Sequence, residues 1–342
     1  MKAHTLIIAE AGVNHNGSIE TALKLVDAAA LAGVDYVKFQ TFKSEKLVSS
    51  KAKKAAYQIE NTNDAAETQL QMLKKLELNH EDHQVIIDHC KSKNIQFFST
   101  AFDLDSLQYL ADIGLELVKI PSGEITNYPY LKLAANLFKK IIISTGMATM
   151  EEIAQAVSVF TEEGKSLNDI AILHCNTEYP TPMEDVNLNA MINIRNVFHT
   201  EIGYSDHTNG IEVPIAAVAL GASIIEKHFT LDKKMEGPDH AASLEPNELI
   251  NMVAAIRNIE QAMSGSGIKE PSKSELKNIA IARKSIHANR DIRKGAIITE
   301  LDLVMLRPGD GISPMQMNSI IGKTLVSDID EGHKFDLKDF AN

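Results

Sequence analysis

Two histidines, His207 in GYSDHT and His228 in EKHFT, stand 21 residues apart, each just after a short apolar run of strand type. Consecutive strands of a βαβ unit carry their C-terminal ends on the same side of the sheet, so both imidazoles are placed to face one site. Two imidazoles beside open positions suit a divalent cation such as manganese, iron or zinc. The alternative is that each merely ends a strand and hydrogen-bonds locally. Other polar groups recur where apolar runs end: Glu10 in IAEAG, Lys38 and Gln40 in VKFQT, Ser99 and Thr100 in FFST, and Lys119, Ser122 and Glu124 in VKIPSGE. Ser144 and Thr145 close IIIST, His174, Asn176, Thr177 and Tyr179 lie in LHCNTEY, and Ser205, Asp206 and Glu226 flank the two histidines. A lysine at the end of an apolar strand is costly unless it meets an anion. Lys38 and Lys119, with the hydroxyls of Ser122 and Ser144, therefore read as a cradle for phosphate or carboxylate. A solvated, snorkelling side chain is the competing account of either lysine taken alone. Glu10 and Glu124 are candidates for acid–base work, provided the site lifts a carboxyl towards neutral pH. Glu226 is suited to orienting a metal-bound histidine. His15 and Cys175 read as structural, Cys175 because no base stands beside it in sequence.

Groups so scattered along the chain need a fold that gathers strand ends. Short runs rich in Val, Ile and Phe alternate with longer helical patterns, the signature of repeated βα units. The expected strands are Thr5–Ala9, Tyr36–Phe39, Gln96–Ser99, Leu115–Ile120, Ile141–Ser144, Ile170–His174, Glu201–Gly203 and Ser223–Lys227. Between them run amphipathic segments such as Ser18–Leu31, with Ser18 as N-cap and Gly33 as stop, and Met150–Glu163, closed by Gly164. Eight such units predict a (β/α)8 barrel of the TIM type, whose working residues project from the C-terminal strand ends; a doubly wound open sheet is the alternative. The polar connection at 43–78 is long for a βα loop and reads as a lid or binding insertion.

The chain has 342 residues, enough for a barrel of about 250 residues plus a small module. SGSGIKEPSKS at 264–274 breaks the apolar pattern as a linker does. The expected division is a barrel over 1–263, a linker over 264–282 and a small β domain over 283–342. Within the last, Asp291–Leu303 and Asp328–Phe340 share an Asp, Ile, Gly, apolar, Asp, apolar pattern at an offset of 37 residues, which points to an internal duplication with each Gly at a turn. A net charge of −12 argues against nucleic acid or an anionic membrane as partner. No run approaches the roughly 20 apolar residues of a membrane span. The N-terminus lacks a signal-peptide pattern, and Cys90 and Cys175 form no CxxC, so a reducing cytoplasm is the expected location.

The motifs IAEAGVNHNGS, VKFQTF, FFSTAFD, VKIPSGEITNYP, IIISTGM, LHCNTEYPTP, IGYSDHT, EKHFT and RPGDGI, in this order, closely resemble the bacterial sialic acid synthase family across essentially the whole chain. The resemblance implies a TIM barrel joined to a C-terminal antifreeze-like (SAF) domain. It also implies condensation of phosphoenolpyruvate with an N-acylated mannosamine-type sugar, giving a nine-carbon 2-keto acid and phosphate. Carried over position by position, it makes His207 and His228 ligands of a divalent metal, usually manganese, and Glu10 the group that helps deprotonate water. Lys38, Thr100, Lys119, Ser122, Ser144 and Ser205 would hold phosphoenolpyruvate, and Glu124, Thr177, Tyr179 and Asp239 would lie near the sugar. Arg307 would reach into the barrel of a partner chain in a domain-swapped homodimer. One departure stands out: LHCNTEYPTP carries Asn176, Thr177 and Glu178 where N-acetylneuraminate synthases commonly carry the order Thr-Asn. The NTE form is similar to synthases of N,N′-diacetyllegionaminate, which favours 2,4-diacetamido-2,4,6-trideoxymannose as acceptor over N-acetylmannosamine. A pseudaminate synthase, a synthase acting on a sugar phosphate, and a non-catalytic sugar-binding protein are the remaining alternatives.

Overall fold

The computed structural model describes residues 4–62, 64 and 66–341. They fall into two compact units, Met1–Ser264 and Gly265–Asn342. In the first, eight parallel strands close into a barrel in sequence order: β1 (Leu6–Gly12), β2 (Tyr36–Thr41), β3 (Gln96–Ala101), β4 (Leu117–Ile120), β5 (Lys140–Ser144), β6 (Ile170–Cys175), β7 (Glu201–Asp206) and β8 (Ile224–His228). Between them run α1 (Ile19–Ala32), α2 (Ser44–Leu47), α3 (Ala56–Thr62), α4 (Gln69–Leu76), α5 (His80–Ser92), α6 (Leu104–Asp112), α7 (Tyr128–Leu137), α8 (Met150–Glu162), α9 (Leu188–Phe198) and α10 (Glu212–Ala219), with α11 (Pro246–Ala262) following β8. This is the expected TIM-type fold, not the open sheet. Among the described residues, no helix is long and apolar enough to cross a membrane.

The strands run past the ends their apolar residues suggest, and the reason positions the site. A strand turns alternate side chains to opposite faces. On the outer face, Ile7, Ala9, Val37, Phe39, Ile141, Ile143, Ile172, Tyr204 and Ile225 join the buried faces of the helices in one core. On the inner face, Ile8, Phe98, Ile142, Leu173 and Ile224 form a separate plug that fills the barrel. Two residues further along each strand the inward position turns polar while hydrogen bonding to the neighbouring strand continues: Glu10 pairs with Lys38, Thr100 with Lys119, and Ser205 with Glu226. Thus β7 reaches Asp206 and β8 reaches His228 where hydropathy alone ends them at Gly203 and Lys227. Local signals set the helices. The Ser18 hydroxyl accepts from Thr21 N and Gly33 ends α1 in the left-handed region at φ 74°; Thr149 caps α8 with a capping box to Glu152.

In the second unit, residues 273–282, inside the segment read as linker, form helix α12 (Lys273–Ala282), nucleated by a capping box between Ser272 and Glu275. Beyond it β9 (Ser285–Ala288) and β10 (Leu303–Leu306) pair antiparallel over a small core that includes Ile286, Ile298, Phe335 and Phe340. The repeated pattern behaves as two matching halves. Ile292 and Ile329 exchange both backbone hydrogen bonds at 2.8 Å. Asp291 accepts from Glu331 N and Asp328 accepts from Lys294 N, each at 2.8 Å. Gly295 and Gly332 take the same left-handed turn, φ 84° and 80°, a conformation open to glycine at no steric cost.

Candidate active site

At the C-terminal ends of the strands lies a cavity of about 320 Å3. All eight strands reach its floor, with Glu10, Lys38, Thr100, Lys119, Ser144, Cys175, Ser205 and Glu226, and β2 and β8 add Gln40 and His228 one step higher. This layer is a dense charge network. Lys38 Nζ lies 2.6 Å from Glu10 Oε2 and 3.7 Å from Glu226 Oε2, and donates to Thr100 Oγ1 at 2.8 Å. Lys119 Nζ donates to Glu226 Oε1 at 3.2 Å, and Ser205 Oγ donates to the same oxygen at 3.0 Å. Burial would neutralise Glu226, but Lys119 and Lys38 outweigh it and hold its carboxyl below the usual range. Glu10 goes the other way: burial, only partly opposed by Lys38, lifts its pKa to about 7. Burial also pulls Lys119 below an ordinary lysine; for Lys38 the same penalty is overcome by Glu10 and Glu226. Two buried cations therefore face one firmly ionised carboxylate and one that takes up a proton near neutrality. Such a floor gains by receiving an anion. The buried Ser144 Oγ has no hydrogen-bond partner among the described residues and is free to donate to one.

The next layer carries the histidines. His207 and His228 ring centroids are 5.3 Å apart, and Tyr179 stacks on His207 at 4.0 Å. Nδ1 of His207 donates to the Asn176 carbonyl, which leaves the Nε2 lone pair available. Burial lowers His207 to about 4 and, with help from His207, pushes His228 well below its ordinary value, so both rings are neutral at pH 7. His228 Nδ1 is buried without a hydrogen-bond partner among the described residues, 3.9 Å from Asp239 Oδ2, a carboxyl that burial lifts to about 6. Two neutral imidazoles fit a divalent cation. Among the described residues no group of three or more His, Cys, Asp or Glu side chains is gathered to hold one. Such an ion would keep open positions for a substrate oxygen or water.

Glu10, Lys38, Thr100, Lys119, Ser122, Ser144, Thr177, Tyr179, Ser205, His207, His228 and Asp239 all line the cavity. Two predicted residues do not. Glu124 sits in a 3-10 turn after β4, partly buried, with its carboxylate bound by Asn127 Nδ2 at 2.5 Å. Arg307 belongs to the second unit, where it is exposed and its Nε donates to the Ala282 carbonyl at 3.0 Å. Alternation also removes three polar strand-end residues from the site. Ser99 bonds Thr41 at 2.7 Å, Asp206 pairs with Lys227 at 2.5 Å, and His174 bonds the Val186 carbonyl at 3.0 Å. His15 is wholly buried and accepts from Gly17 N, a structural role.

Cys175 differs from the sequence reading: it faces the cavity, its Sγ 3.2 Å from Ser122 Oγ. The signal was its parity, two residues beyond the interior Leu173. Gly146 packs against the same corner. A Cβ there would lie 2.5 Å from Thr177 Cγ2, 2.8 Å from Ser122 Oγ and 3.0 Å from Cys175 Sγ. A second set found only in three dimensions is apolar. Leu47, Val48, Met72, Leu73 and Leu76, from the long connection after β2, line one side of the cavity.

Comparison with known proteins agrees with this geometry. Residues 25–269 match the NeuB family and residues 283–340 match the SAF domain. The chain is 56% identical over 320 residues to the N,N′-diacetyllegionaminic acid synthase of Campylobacter jejuni, covering 93% of this chain and 95% of that one. It is 48% identical to the protein of the same name from Legionella pneumophila, over 95% and 92% of the two chains. The crystal structure of the N-acetylneuraminic acid synthetase of Leptospira borgpetersenii, in complex with citrate, superposes with a TM-score of 0.71 at 36% identity, over 81% of this chain and 90% of that one. A barrel whose mouth gathers buried lysines, carboxylates and paired histidines, followed by a SAF domain, thus belongs to the NeuB family of sialic acid-type synthases.

Proposed function

We propose that the chain condenses phosphoenolpyruvate with 2,4-diacetamido-2,4,6-trideoxymannose, yielding N,N′-diacetyllegionaminate and phosphate. The observation that carries this reading is the 56% identity, over almost the whole length of both chains, to a protein named for that product. Lys38 and Lys119 hold the phosphate and carboxylate of phosphoenolpyruvate, with the hydroxyls of Thr100, Ser122, Ser144 and Ser205 as donors. Thr177, Tyr179 and Asp239 face the sugar. Glu124, whose carboxylate Asn127 holds outside the cavity lining, is assigned to the sugar by the KIPSGE motif, and Arg307 is contributed by the partner chain of a domain-swapped homodimer. The catalytic part is residues 1–263, joined through 264–282 to the SAF domain at 283–342, and the enzyme works in the cytoplasm.

His207 and His228 would hold a divalent cation, manganese foremost, which when bound supplies a Lewis acid for the aldehyde oxygen of the open-chain sugar. The electron pair of the enol double bond forms the new bond from C3 of phosphoenolpyruvate to the aldehyde carbon, while the carbonyl π pair moves onto the aldehyde oxygen, which takes up a proton to become a hydroxyl. C2, left electron-poor, takes the oxygen of a water whose proton passes to Glu10. With its pKa lifted to about 7, Glu10 is matched to that task near neutral pH. The C2–O bond to the phosphorus-bound oxygen breaks, phosphate departs with the electron pair, and the C2 hydroxyl gives up its proton to leave the 2-keto group. Lys38, 2.6 Å from Glu10, offsets charge on both the carboxylate and the departing phosphate.

N-Acetylneuraminate formation from N-acetylmannosamine is the second reading, supported by the likeness to the Leptospira synthetase. Phosphate release measured with phosphoenolpyruvate and each sugar separates the two. We expect the diacetamido-trideoxy sugar to give the higher kcat/KM, activity to vanish in chelator, and manganese to restore it. A higher kcat/KM on N-acetylmannosamine overturns the substrate, and full activity in chelator overturns the metal.

A further inference from the structure

The cavity is chemically two-sided. β2 and β3 lie across the closed barrel from β6 and β7. The side above β6, β7 and β8 is polar, built by Thr177, Tyr179, His207 and Asp239. The side above β2 and β3 carries an apolar patch of Leu47, Val48, Met72, Leu73, Leu76 and Phe102, with Gln40, Gln58 and Gln69 also lining the cavity from β2 and its connection. The six apolar residues, with Val13 and Phe42, pack as a hydrophobic cluster separate from the barrel core. Met72, Leu73 and Leu76 present one face of α4, whose start is set by a capping box between Thr68 and Gln71. In the same connection, the buried Lys54 ammonium bonds Thr62 at 2.8 Å and Glu67 at 3.0 Å. Asn61 Nδ2 ties the same insertion to the Pro238 carbonyl, beside Asp239, at 2.6 Å. A connection so braced is a shaped surface, and its apolar face has no use for a phosphate, a carboxylate or a sugar hydroxyl.

We propose that this wall is the specificity element of the enzyme: it receives the C6 methyl of a 6-deoxy acceptor and disfavours acceptors that carry a C6 hydroxyl. The inference rests on the condensing reaction proposed above and adds what reads the sugar's far end. With the aldehyde carbon at the polar, histidine-bearing side, the open chain extends away from it and its last carbon meets the facing wall. A methyl group there removes apolar surface from water on both partners. A hydroxymethyl group seated on these six side chains places a donor and acceptor against atoms that offer neither, and loses its water there without replacement unless it turns to Gln40, Gln58 or Gln69. Discrimination against one added hydroxyl by an apolar pocket reaches about 100-fold.

The test uses a matched pair of acceptors, 2,4-diacetamido-2,4,6-trideoxymannose and 2,4-diacetamido-2,4-dideoxymannose, which differ only in the C6 hydroxyl. Phosphate release is measured with the full-length enzyme and with Val48→Thr and Leu47→Asn, which keep side-chain size and sit half-buried at the cavity edge. The wild type is expected to prefer the 6-deoxy sugar by about 10- to 100-fold in kcat/KM, and each variant to narrow that ratio by about threefold or more. The KM for phosphoenolpyruvate, set at the cavity floor, reports an intact barrel in each case. Equal use of the two sugars by the wild type, or variants that slow both equally with the ratio preserved, overturns the role of the wall. If neither diacetamido sugar releases phosphate while N-acetylmannosamine does, the proposed acceptor has failed instead. In that case 2-acetamido-2,6-dideoxymannose, compared with N-acetylmannosamine, tests the wall alone, and a preference below threefold for the 6-deoxy member overturns it.

Discussion

Replacing Lys119 by Met separates the two jobs of the cavity floor. Lys119 and Glu226 are both buried and 3.2 Å apart, so the attraction lost is large. At an effective dielectric constant of 20 a pair at that distance is worth roughly 5 kcal/mol before desolvation is subtracted. Removing one partner of a buried pair costs about 3–5 kcal/mol because the other charge is stranded. Glu226 retains Ser205 at 3.0 Å and Lys38 at 3.7 Å, which places the expected loss near the low end, about 3 kcal/mol. For a unit of this size that corresponds to a drop in Tm of about 6–12 °C. Converting Glu226 to Met in the same chain removes the stranded carboxylate and leaves the Lys38–Glu10 pair at 2.6 Å intact. The double variant is therefore expected to regain at least half the lost Tm while remaining inactive, since a cation needed by the anionic substrate is still missing. Thermal unfolding followed by circular dichroism, with phosphate release measured in parallel, reads both effects. A Lys119→Met protein melting within 2 °C of the wild type, or a double variant no more stable than the single one, would refute the account of the floor as a balanced charge network.

His15 carries a pH prediction. Burial lowers its pKa from 6.5 to about 4, so the folded state keeps it neutral where the unfolded chain is protonated. The unfolded state therefore binds more protons between those values, and stability falls as pH drops through that window, by up to about 3 kcal/mol from this residue. In His15→Asn the gap in unfolding free energy to the wild type should shrink by about that amount between pH 7 and pH 4; a gap that stays constant refutes it. Gly146→Ala should raise the KM for phosphoenolpyruvate by about 10- to 100-fold, since its Cβ displaces Ser122 and Thr177. Adding Thr177→Ser removes the methyl 2.5 Å from the new Cβ and should recover part of the loss; an unchanged KM, or no recovery, counts against the packing argument.

The barrel was legible because its strands are apolar on both faces near their starts and its helices carry caps such as Ser18 and Thr149. Most of the site was legible for the same reason: a polar residue following an apolar strand run stands out, and Glu10, Lys38, Lys119, Ser205 and Glu226 all do. The duplicated half-units of the second domain showed in the matching Asp, Ile and Gly positions, since each residue type there answers a local backbone need. What a linear reading leaves open is which way a side chain points once hydropathy stops alternating. Register on the closed barrel sends Cys175 inward and Ser99, Asp206 and His174 outward, and the turn after β4 hands Glu124 to Asn127, off the cavity. The connection at 43–78 announced itself only by its length, because its apolar residues are spaced for a short helix. Their service as one wall of the cavity follows from where α4 docks. Local composition and spacing were enough to count the strands and to name the kinds of chemistry at their ends, since neither depends on distant parts of the chain. Tertiary structure alone decided how charges pair across the barrel and which apolar surface faces the substrate, since both depend on strands and helices far apart in the chain.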